Sequence, residues 1–371
     1  MPHAKIMLES PIESSFRVEQ VRGMFDVPAK GLIRHEWDVN LPIEGGDWQL
    51  GLIVGPSGSG KTTIGRHFFC DGAADNGRVL FHQGYQWPAT AAVVDGFDAK
   101  LKVQEVTQVL SSVGFSSPPH WLKRYDHLSN GQRFRCELAR VMLEDADLVV
   151  FDEFTSVVDR DAAKVSSAAV AKALRRRGRP KLVALSCHHD VIDWFDPDWV
   201  YDVADGTFTR RSLRQRPAIE LRIHQADARA WPLFRGHHYL SADLASCARC
   251  LVATWNGNPV AFTSYLHQPG INKRQKREHR TVVLPDYQGV GIGNAVSAWL
   301  GAHLTAQGWR FISTTGHPAM IRHRLKDPRW RMIRKLGHCG GGHVDGTKVM
   351  ARRVDACSTS RLTASFEWVG G

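Results

Sequence analysis

The sequence predicts an α/β protein of two domains, a phosphate-loop domain over residues 1–210 followed by an α+β domain over 211–371. Three observations carry that expectation. Short apolar runs alternate with stretches of helical periodicity along most of the chain, the pattern of strands and helices packed in layers. A glycine-rich loop ending in Gly-Lys-Thr directly follows an apolar run in the first part. A second glycine-rich turn, between a strand pattern and a helix pattern, lies in the last part.

Taken in order, residues 49–54 (QLGLIV), 78–82 (RVLFH), 147–151 (DLVVF) and 181–186 (KLVALS) have the length and apolar content of buried strands. Between them, 61–70 and 131–144 carry apolar residues at helical spacing. Residues 205–217 (DGTFTRRSLRQRP) are turn-rich, basic and end in Pro, which places the domain junction there. Beyond it, 249–265 is a hairpin turning at Asn256-Gly257-Asn258. Residues 279–284 are expected as a strand, 291–307 as a helix and 309–314 as another strand.

Composition excludes several classes. The 371 residues are 43% hydrophobic and 23% charged, as in ordinary globular proteins, and are enough for two to three cores. No window offers the roughly 18 unbroken apolar residues of a membrane span, and MPHAKIMLESPIESSF lacks the layout of a secretory signal. Seven scattered cysteines do not form a disulfide framework. A reduced, cytoplasmic protein without a membrane partner is expected. Residues 211–371 hold 24 Lys+Arg against 9 Asp+Glu, so the whole excess of +11 lies there. A polyanion would meet that part first.

Gly55-Pro56-Ser57-Gly58-Ser59-Gly60-Lys61-Thr62, continued by Thr63, satisfies the phosphate-loop pattern. Its glycines let backbone N–H groups turn around phosphates, Lys61 reaches the β/γ oxygens, and the Thr62 hydroxyl suits Mg²⁺. Downstream, Leu128-Ser129-Asn130-Gly131-Gln132 resembles the LSGGQ signature of ATP-binding-cassette (ABC) ATPases, with Asn130 in place of the first glycine. Leu148-Val149-Val150-Phe151-Asp152-Glu153 resembles their Walker B strand and Ser156-Val157-Val158-Asp159 their D-loop. The resemblance covers about residues 17–205. It implies that Thr62, Asp152 and the Q-loop glutamine hold Mg²⁺, and that Glu153 polarises the attacking water. The Q-loop residue is Gln83, with Gln86 as the alternative. The switch histidine is His189, beside His188, and Phe25 stands where the family has an aromatic against adenine. The resemblance also implies a homodimer, in which Ser129, Gly131 and Gln132 of one copy complete the ATP site of another.

In the second domain, Gln288-Gly289-Val290-Gly291-Ile292-Gly293 follows a V-V-L-P strand and opens an amphipathic helix. Amides exposed at a helix N-terminus bind a pyrophosphate. The segment resembles the Q/R-x-x-G-x-G/A signature of GNAT acyltransferases, so the pyrophosphate implied is that of acetyl-CoA or another acyl-CoA. No acidic residue about 20 positions on supports a dinucleotide site instead. Residues 316–336, where such enzymes often carry a tyrosine acid on a helix, have none and are rich in Arg and His. Arg235-Gly236-His237-His238-Tyr239-Leu240-Ser241 resembles the His-Tyr-Ser segment of Mom-type relatives, which modify adenine in phage DNA. The whole chain is similar to a family that fuses an ABC ATPase to an acetyltransferase. His238 and Tyr239 are the candidate base and acid, with His317 as a third. Cys247 and Cys250, with His338, Cys339 and His343, are a candidate zinc set. Lys273, Arg274, Lys276 and Arg277 are expected on a loop that could clamp phosphates. The expectation is ATP-controlled acyl transfer with a nucleobase in DNA or RNA as the candidate acceptor, against the alternative of a nucleic-acid clamp whose second domain only binds.

Overall fold

The structure is a computed structural model and describes residues 3–11, 14–25, 32–44, 46–71, 78–210, 217–238, 244–268, 274–338 and 362–370. Packing divides the chain into two units. The first comprises Met1–Tyr85, Glu144–Ser156 and Leu174–Arg216, and the second Gln86–Leu143, Val157–Ala173 and the described residues of Pro217–Gly371.

In the first unit His3–Pro11 (β1) and Leu32–Asn40 (β2) pair antiparallel, with Phe16–Phe25 (α1) between them in sequence. Leu50–Val54 (β3), Val79–His82 (β4), Leu148–Phe151 (β5), Lys181–Ser186 (β6), Trp199–Asp202 (β7) and Thr207–Arg210 (β8) form a six-stranded sheet of order β4-β5-β6-β3-β7-β8. All its pairings are parallel except β7–β8. Parallel strands covered on both faces must be apolar throughout, and every residue of β3 is buried. Lys61–Phe69 (α2) follows β3 and buries Ile64 and Phe69 in a core with Ile53, Val150, Leu185 and Trp199. Gly51 leaves the space that Trp199 fills, since a Cβ there would lie 2.1 Å from the indole.

The second unit combines helices with a seven-stranded sheet. Its helical part holds Val103–Ser112 (α3), Pro118–Trp121 (α4), Asn130–Val141 (α5) and most of Arg160–Arg177 (α6). Its sheet is built from Arg222–Ala226 (β9), Arg249–Trp255 (β10), Asn258–His267 (β11), Gln275–Val283 (β12), Arg310–Thr315 (β13), Trp330–His338 (β14) and Leu362–Trp368 (β15), in the order β14-β15-β13-β12-β11-β10-β9. Asn256 (φ 50) and Gly257 (φ 83) make the expected β10–β11 turn, both left-handed as a two-residue hairpin requires. Strands β12 and β13 pair in parallel only from Gln275↔Arg310 to Arg277↔Ile312, and their pairing ends there. Ile292–Ala306 (α9) buries Leu300 and Leu304 against Phe311, Phe366 and Trp368. Trp231–Arg235 (α8) places Trp231 and Phe234 against Phe262 and Val282. The short helices Ile192–Phe195 (α7), in the first unit, and Pro318–Arg324 (α10), in the second, complete the elements.

Three local expectations change. Thr207–Arg210, read as part of the junction, is strand β8 paired with β7. Lys276 and Arg277, expected on the loop before the strand, belong to β12, which begins at Gln275 and whose Glu278 is given a partner by Arg324. Of residues 316–336 only Pro318–Arg324 is helical, and Trp330 onward is β14.

Candidate functional site

In the first unit the loop after β3 delivers the phosphate-binding residues. Gly60 caps α2 in the left-handed region (φ 97), no side chain bonds the first amides, and the first turn carries no acid. An anion is what such a helix start accepts. Gly60 is also backed by Trp37, whose indole Nε1 donates to Ser59 O at 2.7 Å and leaves no room for a Cβ. Ser57 and Gly58 are exposed, and Gly55 is buried at the end of β3. Lys61 Nζ donates to the Gly55 and Pro56 carbonyls at 2.8 and 2.7 Å. Burial pulls its pKa down, opposed by Cys187, Asp152 and Glu153.

The Thr62 hydroxyl donates to the two Asp152 carboxylate oxygens at 3.2 and 3.0 Å, and Gln83 Nε2 donates to Asp152 Oδ2 at 3.1 Å. Arg66 holds the other end of the Gln83 amide at 3.0 Å. Thr62, Gln83 and Asp152 therefore converge, and the Thr62 hydroxyl and Asp152 carboxylate are oxygen ligands of the kind Mg²⁺ takes, while Gln83 turns its amide nitrogen to Asp152 and its oxygen to Arg66. Gln86 lies in the second unit, where its carbonyl accepts from Arg140. Glu153 follows Asp152 with an exposed side chain and φ 51, a strained backbone of the kind that collects at working sites. His189 Nε2 is 2.7 Å from Asp202 Oδ2, while the His188 amide donates to Ser186 Oγ. Thr63 is half-buried on α2. Phe25 ends α1 and is 69% exposed.

The signature stretch caps α5 in the second unit. Ser129 and Gln132 exchange bonds in a capping box, so these side chains define the helix start. Asn130, standing where the family has glycine, is exposed at the first helical position, whereas Gly131 is buried. A Cβ on Gly131 would lie 3.0 Å from Asp286 Oδ1.

The loop after β12 ends at Gly291, a left-handed cap (φ 102) for α9, again with no side-chain bond to the first amides and no acid in the first turn. Among the described residues nothing lies within 4 Å of a Cβ built on Gly291, so the amides at the start of α9 are open. Gly289 is different: a Cβ would lie 2.8 Å from Gly114 Cα and 2.9 Å from Ala169, so glycine is required by packing. Gln288 is buried, giving Nε2 to Val283 O at 2.8 Å and accepting the Ser116 amide at 2.7 Å. Val290 and Gly293 are half-buried and Ile292 is buried.

His238 is buried with its ring 5.9 Å from Trp231, and Tyr239 lies outside the described residues. His317 caps α10, and burial pulls its pKa down against a bond to the Ser116 backbone. Among the described residues its Nδ1 has no partner. Cys247 is exposed and Cys250 buried, and His338 ends β14, while Cys339 and His343 lie outside the described residues. Among the described residues no three His, Cys, Asp or Glu are grouped to hold a metal. Lys273 is outside the described residues, and Arg274 stands just before β12.

Sequence reasoning missed Trp37 and two buried arginines. Arg324 meets Glu278 Oε2 at 3.2 Å, Ser313 Oγ at 2.6 Å and Ser297 Oγ at 2.8 Å, just where β12 and β13 stop pairing. Burial raises the Glu278 pKa, but Arg324 and the hydroxyls of Ser313, Thr281 and Ser297 outweigh it and hold the carboxyl below its usual range. Arg135, fully buried on α5, reaches Asp286 Oδ1 at 3.3 Å and Asp286 O at 3.0 Å. No periodicity marks either pair, because the partners are 46 and 151 residues apart.

Comparison with known proteins finds a family model over each of two parts of the chain. The ABC transporter family model matches residues 38–156 and the Acetyltransferase (GNAT) family model residues 191–320. An ABC-type ATPase domain and a GNAT acetyltransferase-family domain are joined in this one chain. Among named relatives, the energy-coupling factor transporter ATP-binding protein EcfA1 of Halalkalibacterium halodurans is 26% identical over 212 residues, 48% of this chain and 72% of that protein. The phosphonates import ATP-binding protein PhnC 1 of a Synechococcus species is 27% identical over 192 residues, 41% of this chain and 72% of that protein. A solved structure, the dimeric post-hydrolysis state of the ATP-binding cassette MJ0796 bound to ADP and Pi, covers 50% of this chain and 95% of its own at 17% identity, with a TM-score of 0.39. No helix among the described residues is long and apolar enough to cross a membrane.

Proposed function

We propose that the protein is an ATP hydrolase whose ATP-dependent self-association, through its ABC domain, controls acyl transfer from an acyl-CoA to a nucleobase in DNA or RNA. The observation that carries the acyl-transfer half is the Gly291-capped start of α9, uncapped by side chains and open to a pyrophosphate. The ATPase half rests on Lys61, Thr62, Gln83, Asp152 and Glu153, which the first unit assembles around one loop. Thr62, Gln83 and Asp152 would hold Mg²⁺, which supplies charge neutralisation at the phosphates. Glu153 orients and polarises water.

In the acyl-transfer site the acceptor amine attacks the thioester carbonyl, its proton passes to a base, and CoA leaves as the thiol. His317 suits the base, since burial keeps its ring neutral and Nδ1 has a free lone pair or proton site. His238 and Tyr239 are the other candidates. The polyanionic acceptor is supported by the positive excess of residues 211–371. The test is calorimetric titration of the full chain with acetyl-CoA, joined to mass spectrometry of nucleosides from cells expressing wild type or Gly291→Val. A new acylated nucleoside made only by wild type is expected. Absence of CoA binding at millimolar ligand would leave a nucleic-acid-binding clamp as the reading.

A further inference from the structure

Four consecutive residues of the CoA loop are held by the helical segment that carries the ABC signature. Asp286 takes two bonds from Arg135 of α5. Tyr287 lies close enough to Asp161, in the first turn of α6, for that carboxylate to join burial in pushing its phenol pKa up. Gln288 accepts the Ser116 amide, and Gly289 packs on Gly114 and Ala169. Arg135 also returns Nη1 to the Gly131 carbonyl at 3.4 Å, and Gly131 stands against the Asp286 carboxylate. One guanidinium thus touches the signature glycine at one end and the loop before α9 at the other.

A fully buried guanidinium is stable only while its carboxylate stays with it. If the start of α5 shifts, Arg135 either loses Asp286 or carries the loop along. The packing of Gly131 on the same carboxylate removes the slack that would let α5 move alone. We infer that α5 positions the acyl-CoA loop, with the Arg135–Asp286 pair as the link through which nucleotide engaged at Ser129–Gly131 sets CoA affinity. This rests on the proposed function, in which ATP held by one copy meets the signature of another. Arg135 and Asp286 are positioning residues and touch no reacting atom.

Coupling of this kind is reciprocal, so CoA must change nucleotide affinity by the same factor. The experiment is calorimetric titration of the full chain with CoA, with and without saturating AMP-PNP, and of AMP-PNP with and without CoA. Wild type should show about a tenfold shift, equal in the two directions. Asp286→Asn keeps the shape of the loop and the Arg135 bond to the backbone carbonyl but removes the charge. It should bind both ligands with less than about a twofold shift. Arg135→Lys, the second variant, keeps a charge but cannot span Gly131 and Asp286 together, and should also lose the shift. Equal CoA affinity with and without nucleotide in wild type overturns the inference while the acyltransferase reading stands. An undiminished shift in Asp286→Asn also overturns it. Absence of any CoA binding in wild type removes the acyltransferase reading, and the inference with it.

Discussion

At the starts of α2 and α9 the backbone does the same thing: a left-handed glycine, Gly60 or Gly291, caps a helix whose first amides are left bare of side chains and acids. What stands behind the two turns differs. The α2 turn is braced by Trp37 from β2 and carries Lys61, a cation that can reach a phosphate. The α9 turn has no basic residue in its first turn and is braced by side chains and backbone of the α3–α6 segment. A bare helix start is generic anion chemistry, and the bracing makes it a particular site. In the first unit the brace belongs to the nucleotide fold itself. In the second it is lent by the segment that holds the ABC signature.

The comparison can be broken in several ways. The largest expected effect is on turnover: Glu153→Gln should slow ATP hydrolysis about 10²–10⁴-fold while ATP affinity is kept. Steady-state ATPase assays beside nucleotide titration measure both, and surviving hydrolysis would take the water-polarising role from Glu153. The next effect is on stability and separates the second unit, which buries ion pairs, from the first. Arg324→Met leaves Glu278 buried without its cation and should cost about 3–5 kcal/mol in denaturant unfolding. Adding Glu278→Gln should recover most of that loss, and a double variant as weak as the single one would contradict it.

A matched pair of variants sharpens the contrast between the turns. Gly291→Val imposes a side chain on a left-handed residue and covers the amides, so CoA affinity should fall at least about tenfold with ATP affinity unchanged. Gly60→Ala collides with Trp37 and should do the reverse. With each ligand titrated in the absence of the other, either variant weakening both alike would show that the turns are not separate phosphate cradles.

The smallest effect is the pH dependence that buried histidines give the second unit. Burial, then Lys123 and His237, pull His120 down to about 4, and burial with Arg280, Arg277 and His238 does the same to His279. The unfolded chain protonates histidine near 6.5 and the folded one near 4, so between those values the unfolded state binds more protons. Stability should therefore fall as pH drops from about 6.5 toward 4. His120→Gln should flatten the fall in a series of urea melts, and an unchanged slope would deny His120 its share.

Much of this was legible in the sequence because it is local. The β3–α2 loop, Walker B, the hairpin turn at Asn256-Gly257 and the strand–turn–helix around Gly291 each lie within about a dozen residues, where periodicity and glycine placement speak directly. Lys276 and Arg277 were misread because charge normally signals solvent, and the partner that lets the neighbouring Glu278 side chain be buried, Arg324, comes from a distant part of the chain. Arg135 escaped for the same reason: inside an amphipathic helix it looks like a surface residue. Gly289 was assigned to phosphate binding, yet its absence of a side chain is also demanded by Gly114 and Ala169, a requirement no local pattern could show.

The 151-residue separation of Arg135 from Asp286 has a consequence for how the protein is made. At the usual 5–20 residues per second, α5 leaves the ribosome roughly 8–30 s before the carboxylate that will receive its guanidinium exists. Throughout that interval the faces of α3 and α5 that end up buried have no β12 or α9 loop to lie against. The second unit therefore cannot follow the ordinary N-terminal-first order of domain folding. The Arg135 side of α5 lacks its carboxylate until synthesis has passed the loop before α9.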